Sequence, residues 1–324
     1  MRMWKNQITM LKTAESSVEN SVETVDKSRS DLLLIVLNRK NTYQEKKQYR
    51  KNMDYKATDN GIIVSQNCFD LAQTLDCGQA FRWNQREDGS FEGDFLNEHL
   101  VISENRKGEF FFEGVSEEKF LSVWKNYFDF DTDYEEIIRK LSEDETLKKA
   151  CSFASGIRIL RQDTWETLCS FIISQNNNIP RIKGIIGRLC EKYGGFPDNQ
   201  TLAAETADSL SFLRSGFRAK YIVDAARRTA SRDVDLEMIR TLSCEEARKE
   251  LMRICGVGPK VADCVLLFGM YRTEAFPVDV WMKRVMSVFY PDGMPECAKG
   301  IEGIAQQYLF HYVRSNSSVL GEMS

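Results

Sequence analysis

The chain has 324 residues, 42% of them hydrophobic and 28% charged, with a net charge of −4. This is the composition of an ordinary soluble protein, long enough for two domains and a tail. Its longest apolar run, residues 32–37, is far too short to span a bilayer, and no basic segment followed by an apolar one opens the chain as a secretory leader would. Nine scattered cysteines argue for a reducing interior rather than a secreted disulfide scaffold, and two histidines far apart in sequence, His99 and His311, argue against a zinc site.

The net charge hides a division: residues 1–52 carry +5, 53–145 carry −13 and 146–324 carry +4. Residues 1–52 are polar and end in a basic run. They are expected to form a poorly ordered basic arm, with at most a short helix near 31–38, and Met53 is a plausible natural start. From Gly61 the pattern changes to short strands, GIIVSQ, QAFRWN, SFEGDF, HLVISE and EFFFEG, separated by Asp-Gly, Asn-Glu and Arg-Lys-Gly turns. This predicts a twisted antiparallel sheet. Residues 116–147 are helical in composition, with Phe120, Val123, Trp124 and Tyr127 on one face; acidic stretches at 129–133 and 143–145 are expected on the surface, away from a polyanion.

A second, helical domain is expected from residue 148. Asp163 and Glu166 have the spacing of a capping box, with Trp165, Leu168, Cys169 and Ile172 as a core stripe behind it. Asn178 and Pro180 cap and open the next helix, whose buried face is Ile182, Ile185, Ile186 and Leu189. Three asparagines at 176–178 between two helices read by default as a turn.

Residues 251–285 carry the chemistry. Leu251 and Ile254 close one helix, Gly256-Val257-Gly258 turns the chain, and Pro259 opens the next helix at a position that tolerates proline. Glycines at 256 and 258 leave amide N–H groups free beside a helix N-terminus, a surface that suits a phosphate oxygen. This is a helix-hairpin-helix pattern, a sequence-independent grip on a DNA backbone. Lys260 stands in the first turn, where the helix dipole disfavours an ammonium. Asp279 follows an extended Pro277-Val278 and is placed to cap the helix from Val280. An amine and a carboxylate in one unit are what Schiff-base chemistry at a sugar C1′ needs. Singly, a first-turn lysine is commonly a solvated lysine and such an aspartate only a cap; behind G-V-G-P the pair is far more specific.

The unit resembles the helix-hairpin-helix DNA glycosylases, and residues 61–312 together resemble their 8-oxoguanine DNA glycosylase/AP lyase branch. The resemblance implies Lys260 as nucleophile and Asp279 as its carboxylate partner. L-D-C-G-Q-A-F-R-W at 75–83 matches the motif whose glycine carbonyl accepts the N7 proton that distinguishes 8-oxoguanine from guanine, which falls on Gly78. Cys264 and Phe310 match the residues stacking on the two faces of the flipped purine, and Gln306 the one bonding its Watson–Crick edge. Asn176 matches the residue that fills the vacated space, Arg181 and Arg218 the pair that contacts the estranged cytosine, and Phe217 the wedge between base pairs.

Three positions depart from the usual pattern. Trp281 replaces a frequent histidine, so that residue's phosphate contact is not carried over. Phe217 stands where tyrosine is frequent, and Pro259 where threonine is. Only Cys297 follows Asp279, so the four-cysteine iron–sulfur site of relatives such as endonuclease III cannot be built there. The expectation is an α+β fold, a twisted antiparallel β domain (53–147) packed on an all-helical helix-hairpin-helix domain (148–324) with the site in the cleft between. The activity expected is excision of 8-oxoguanine from double-stranded DNA by a monomeric, intracellular, DNA-associated enzyme that needs no metal or cofactor. An alkylpurine glycosylase on the same scaffold and a non-catalytic DNA-binding module are the alternatives.

Overall fold

The computed structural model of the protein describes residues 54–320. The expected basic arm at 1–52, its short helix near 31–38 and a start at Met53 lie outside the described residues.

Strands β1 (Asp54–Thr58), β2 (Gly61–Ser65), β3 (Trp83–Gln85), β4 (Phe91–Phe95), β5 (Glu98–Arg106) and β6 (Glu109–Glu113) form one antiparallel sheet in the order β1-β2-β6-β5-β4-β3. Alternation puts Ile62, Val64, Phe91, Leu100, Ile102, Phe110 and Phe112 on the buried face. The register lines up Ile62, Phe112, Ile102 and Phe91 as one apolar row across four strands. A helix, α2, covers this face; it runs through Glu117–Lys119, a π-segment Phe120–Trp124 and Lys125–Tyr127, and buries Phe120, Trp124 and Tyr127. The indole N–H of Trp83 donates to the Tyr127 hydroxyl at 2.7 Å, tying sheet to helix.

Two elements differ from the sequence expectation. β1 was not anticipated, because DYKAT is an exposed edge strand without apolar alternation. QAFRWN pairs as a strand only from Trp83, because Gln79 bonds outside the sheet. Its Nε2 donates to the carbonyls of Thr74 (2.9 Å) and Arg158 (2.7 Å), and its Oε1 accepts from Leu160 N–H at 3.0 Å. The short helix α1 (Leu71–Leu75) precedes that segment, capped by Asp70.

The helical body comprises α3 (Tyr134–Leu141), α4 (Glu145–Phe153), α5 (Thr164–Ser174), α6 (Ile179–Tyr193), α7 (Asn199–Ala203), α8 (Arg218–Ala230), α9 (Leu236–Ile239), α10 (Cys244–Leu251), α11 (Pro259–Cys264), α12 (Val280–Phe289) and α13 (Glu302–Ser315). α11 continues directly as a π-segment, Val265–Gly269. The body has its own core, to which Tyr134, Leu141 and Leu147 also belong, distinct from the aromatic core under the sheet. The Asp163 carboxylate accepts from Glu166 N–H at 2.8 Å, but Glu166 does not complete the box; its carboxylate turns to Arg82 at 3.0 Å.

The two cores meet along residues 157–162. Arg158 is buried and donates to the carbonyls of Cys68, Asn67 and Asp129. Asp129, expected in an acidic surface patch, is instead 1% exposed. Its carboxylate accepts from Arg161 Nε at 2.8 Å and from the hydroxyls of Thr132, Tyr134 and Tyr271, so a buried charge is held by a full set of donors.

Candidate active site

The hairpin is built from the residues at 254–259. Val257 N–H donates to Ile254 O at 3.0 Å, closing the turn, and Val257 itself is buried. Gly256 has φ +81°, and a Cβ there would lie 2.4 Å from Tyr221 Cδ2 of α8, so both conformation and space require glycine. Gly258 is the extended N-cap of α11 and Pro259 its first residue. Cys255 N–H donates to Asp224 Oδ2 at 2.7 Å. Among the described residues, the N–H groups of Gly256, Gly258, Lys260 and Val261 have no backbone partner, leaving several donors at one helix end.

One turn into α11, Lys260 and Cys264 lie four residues apart on one face. Lys260 Nζ sits 5.1 Å from the centre of the Phe171 ring, whose other neighbours are Phe268, stacked at 5.3 Å, and Phe81, edge-on at 5.8 Å. Burial pushes the Cys264 thiol up to about 11; the charge of Lys260 and a hydrogen bond to it oppose this, while Asp263 and Asp279 add to it. The charges of Lys260, Asp263 and Asp279 are therefore all felt at that sulfur. Asp279 caps α12: its carboxylate accepts from Met282 N–H at 2.8 Å. Trp281 packs on the helical core with Arg284 5.7 Å from its ring centre.

A cleft of about 660 Å³ is lined by Asp76, Cys77, Ile179, Pro180, Lys183 and Phe310 among others, and Lys260, Cys264 and Asp279 are not part of its lining. It brings together the segment before Gly78, the start of α6 and the end of α13. Gly78 has φ +93°, and a Cβ there would touch Ile179 Cδ1 at 3.6 Å. Gln306, one helical turn before Phe310, is 3% exposed, and its Oε1 accepts from Gln307 Nε2 at 2.7 Å. Phe310 is half-buried, with the Arg314 guanidinium 5.8 Å from its ring centre.

The remaining predicted residues form a second cluster at the α5–α6 loop and the start of α8. Asn176 is exposed at φ +47°, a left-handed conformation that asparagine tolerates. Asn178 caps α6 by accepting from Arg181 N–H at 3.0 Å. Phe217 is 49% exposed and meets Tyr221 edge-on at 5.7 Å. Arg181 is exposed, whereas Arg218 is 3% exposed and committed to backbone carbonyls: Nε to Gln175 and Nη2 to Asn176, both at 2.9 Å, and Nη1 to Ser215 at 3.1 Å. Burial lowers the Arg218 guanidinium, and the like charge of Arg181 lowers it further.

Three contributors were not singled out from sequence. Phe171 lies three residues after Leu168 on α5, so helical spacing alone marks it as core, and its contact with Lys260 is tertiary. Gln79 and Gln307 act through hydrogen bonds that leave no pattern in sequence.

An antiparallel sheet packed on a helical body, with a lysine directly behind a glycine hairpin and an aspartate capping the next helix, defines the class of helix-hairpin-helix DNA glycosylases. Residues 61–168 match the family described as 8-oxoguanine DNA glycosylase, N-terminal domain, and residues 169–300 the HhH-GPD superfamily base excision DNA repair proteins. The N-glycosylase/DNA lyase of Saccharomyces cerevisiae is 32% identical over 272 residues, covering 72% of this chain and 71% of that one. A probable N-glycosylase/DNA lyase of Methanothermobacter thermautotrophicus is 33% identical, over 58% of this chain and 72% of that one. Among solved structures, the 8-oxoguanine glycosylase/lyase of Clostridium acetobutylicum, in complex with dsDNA containing cytosine opposite 8-oxoG, is 39% identical. It aligns with a TM-score of 0.76 over 82% of this chain and 99% of that one. The chain belongs to the N-glycosylase/DNA lyase family of 8-oxoguanine DNA glycosylases. Among the described residues no helix is long and apolar enough to cross a membrane.

Proposed function

We propose that this protein excises 8-oxoguanine from double-stranded DNA through a Schiff base on Lys260 and then cuts the strand 3′ to the lesion by β-elimination, acting as a monomer on DNA inside the cell. The observation that carries this reading is that Lys260 stands in the first turn of α11 directly behind the glycine hairpin, with Asp279 capping α12 through Met282 N–H at 2.8 Å. A base within the stack is out of reach of the amine, so the nucleotide must be extruded. Phe217 and Asn176 hold the duplex open, Arg181 and Arg218 bond the estranged cytosine, and the free N–H groups at Gly256 and Gly258 grip a phosphate. The base lies between Cys264 and Phe310, with the Gly78 carbonyl accepting its N7 proton and Gln306 on its Watson–Crick edge.

Asp279 stabilises the positive charge that develops on the sugar as the glycosidic bond breaks and its electron pair leaves with the base. The neutral Lys260 amine forms the new bond at C1′, and loss of a proton from that nitrogen with ring opening gives the imine. The imine acidifies C2′–H; removal of that proton expels the 3′ phosphate, completing the lyase step. The Phe171 ring, itself packed against Phe268 and Phe81, lies 5.1 Å from the Lys260 amine and gives it an apolar neighbour. An alkylpurine glycosylase needs only the aspartate and leaves Lys260 without a role.

Borohydride trapping on an 8-oxoguanine duplex tests the reading. The wild type forms a covalent adduct; Lys260→Gln loses it while still binding DNA, because the hairpin amides and arginines are untouched. Undiminished trapping by Lys260→Gln would place the nucleophile elsewhere.

A further inference from the structure

One buried amide on α13 has no part in the steps above. Gln307 is 5% exposed, and its Nε2 donates to the Oε1 of the preceding Gln306 at 2.7 Å. Among the described residues this is the one hydrogen bond its side chain makes, and Gln307 Oε1 is buried with no partner at all. Its buried neighbours on the same helix are Ile304, Ala305, Tyr308 and Leu309. The Tyr308 hydroxyl is satisfied, donating to Ile157 O at 3.2 Å. Packing here calls for an apolar side chain, and a half-satisfied buried amide costs stability rather than adding it. The single thing Gln307 does is hold Gln306.

We propose that Gln307 is a positioning residue for base recognition: it fixes the Gln306 amide before the base arrives, so that Gln306 meets the Watson–Crick edge already ordered. The inference rests on Gln306 bonding that edge. Gln306 lies one helical turn before Phe310, so the two share a face of α13, and Phe310 lines the cleft. Gln306 is itself 3% exposed and its side chain has no other hydrogen bond among the described residues. The bond from Gln307 is therefore what distinguishes one orientation of the Gln306 amide from another. Ordering a long, rotamer-rich side chain at the moment of binding typically weakens binding by about threefold to tenfold. In this chain that ordering is done in advance, at the expense of an unpaired acceptor.

Gln307→Met keeps the length of the side chain and fills the same space without a donor. It removes one unpaired acceptor and leaves another on Gln306, so the variant should melt close to wild type. Single-turnover release of 8-oxoguanine, measured below saturating enzyme, should be about threefold to tenfold slower. Strand cleavage at a preformed abasic site, where no base remains to be read, should keep the wild-type rate. Gln306→Ala should slow base release at least as much, and Gln307→Met should add nothing further in that background. A helix merely loosened by the substitution would lower both rates together. Equal loss of the two rates in Gln307→Met, unchanged base release, or full additivity with Gln306→Ala overturns the proposal. Gln306→Ala also keeps the two readings apart. If it releases 8-oxoguanine at the wild-type rate, Gln306 does not bond the base; if it slows release while Gln307→Met does not, only the role of Gln307 has failed.

Discussion

Gly256→Ala tests the hairpin at the point where conformation and space are both constrained. A left-handed residue with a Cβ costs about 1–2 kcal/mol. The new methyl would lie 2.4 Å from Tyr221 Cδ2 and 2.5 Å from Cγ, near the root of the ring rather than its tip. The ring cannot swing aside freely, because Phe217 meets it edge-on at 5.7 Å. Forced overpacking of this kind costs about 1–3 kcal/mol, so the total is about 2–5 kcal/mol. For a folded body of this size each kcal/mol lowers Tm by roughly 2–4 °C. Gly258→Ala is the control. Its φ is −97° and no atom lies within 4 Å of a Cβ there, so it should lose only about 1 kcal/mol or less as a poorer N-cap. Its methyl would instead project into the space assigned to a DNA phosphate, lowering non-specific DNA affinity without unfolding. Thermal melting with DNA titration at several salt concentrations separates the two. If Gly256→Ala melts with the wild type, the hairpin does not depend on the Tyr221 contact and the reasoning fails.

Three further outcomes are expected. Asp279→Asn should keep a side-chain cap on Met282 N–H yet lose turnover by a few orders of magnitude, whereas Asp279→Ala should also lose about 1 kcal/mol of stability; equal turnover in Asp279→Asn would remove the carboxylate from the chemistry. Arg218→Ala should weaken the preference for cytosine opposite 8-oxoguanine and destabilise the 175–176 loop by about 1–3 kcal/mol, read from single-turnover rates on the four opposite-base duplexes together with melting; an unchanged preference would mean that Arg218 stays on its carbonyls when DNA binds. Burial pushes the Glu166 carboxyl up to about 7 against the opposing charge of Arg82, so folding takes up a proton there. Stability from this group is complete below its unfolded value and is lost as pH rises through about 7. Glu166→Gln should flatten that part of the stability profile, and an unchanged slope would assign it to another group.

Much of this architecture was legible because it rests on local chemistry. Asn178 and Asp279 cap their helices as their positions before Pro180 and Val280 imply, and the Ile182, Ile185, Ile186 and Leu189 stripe is buried. The second half of the Asp163 capping box failed because Arg82, brought in from the sheet, offers Glu166 a charged donor that outcompetes a backbone amide. β1 was illegible because an edge strand needs no apolar face, and the Asp129 hub because nothing in a run of acidic residues marks the one that the distant Arg161 and Tyr271 will join Thr132 and Tyr134 in surrounding. At the site, the resting state of one side chain was not readable. Arg218 looked free to meet a base, and in the fold it is occupied with the carbonyls of Gln175, Asn176 and Ser215.

The placement of Gln79 bears on how such a site can change over generations. Its side chain bonds Thr74, Arg158 and Leu160, and its carbonyl accepts from Gln162 Nε2 at 2.8 Å, so the peptide after Gly78 is fastened to the junction between the two cores. In the role proposed for Gly78, the atom that tells a damaged base from an intact one belongs to the main chain, and no substitution can delete it. Drift in this one contact must then act through the anchorage, shifting that oxygen by fractions of an ångström. A buried amide, 1% exposed, becomes the adjustable part of that contact.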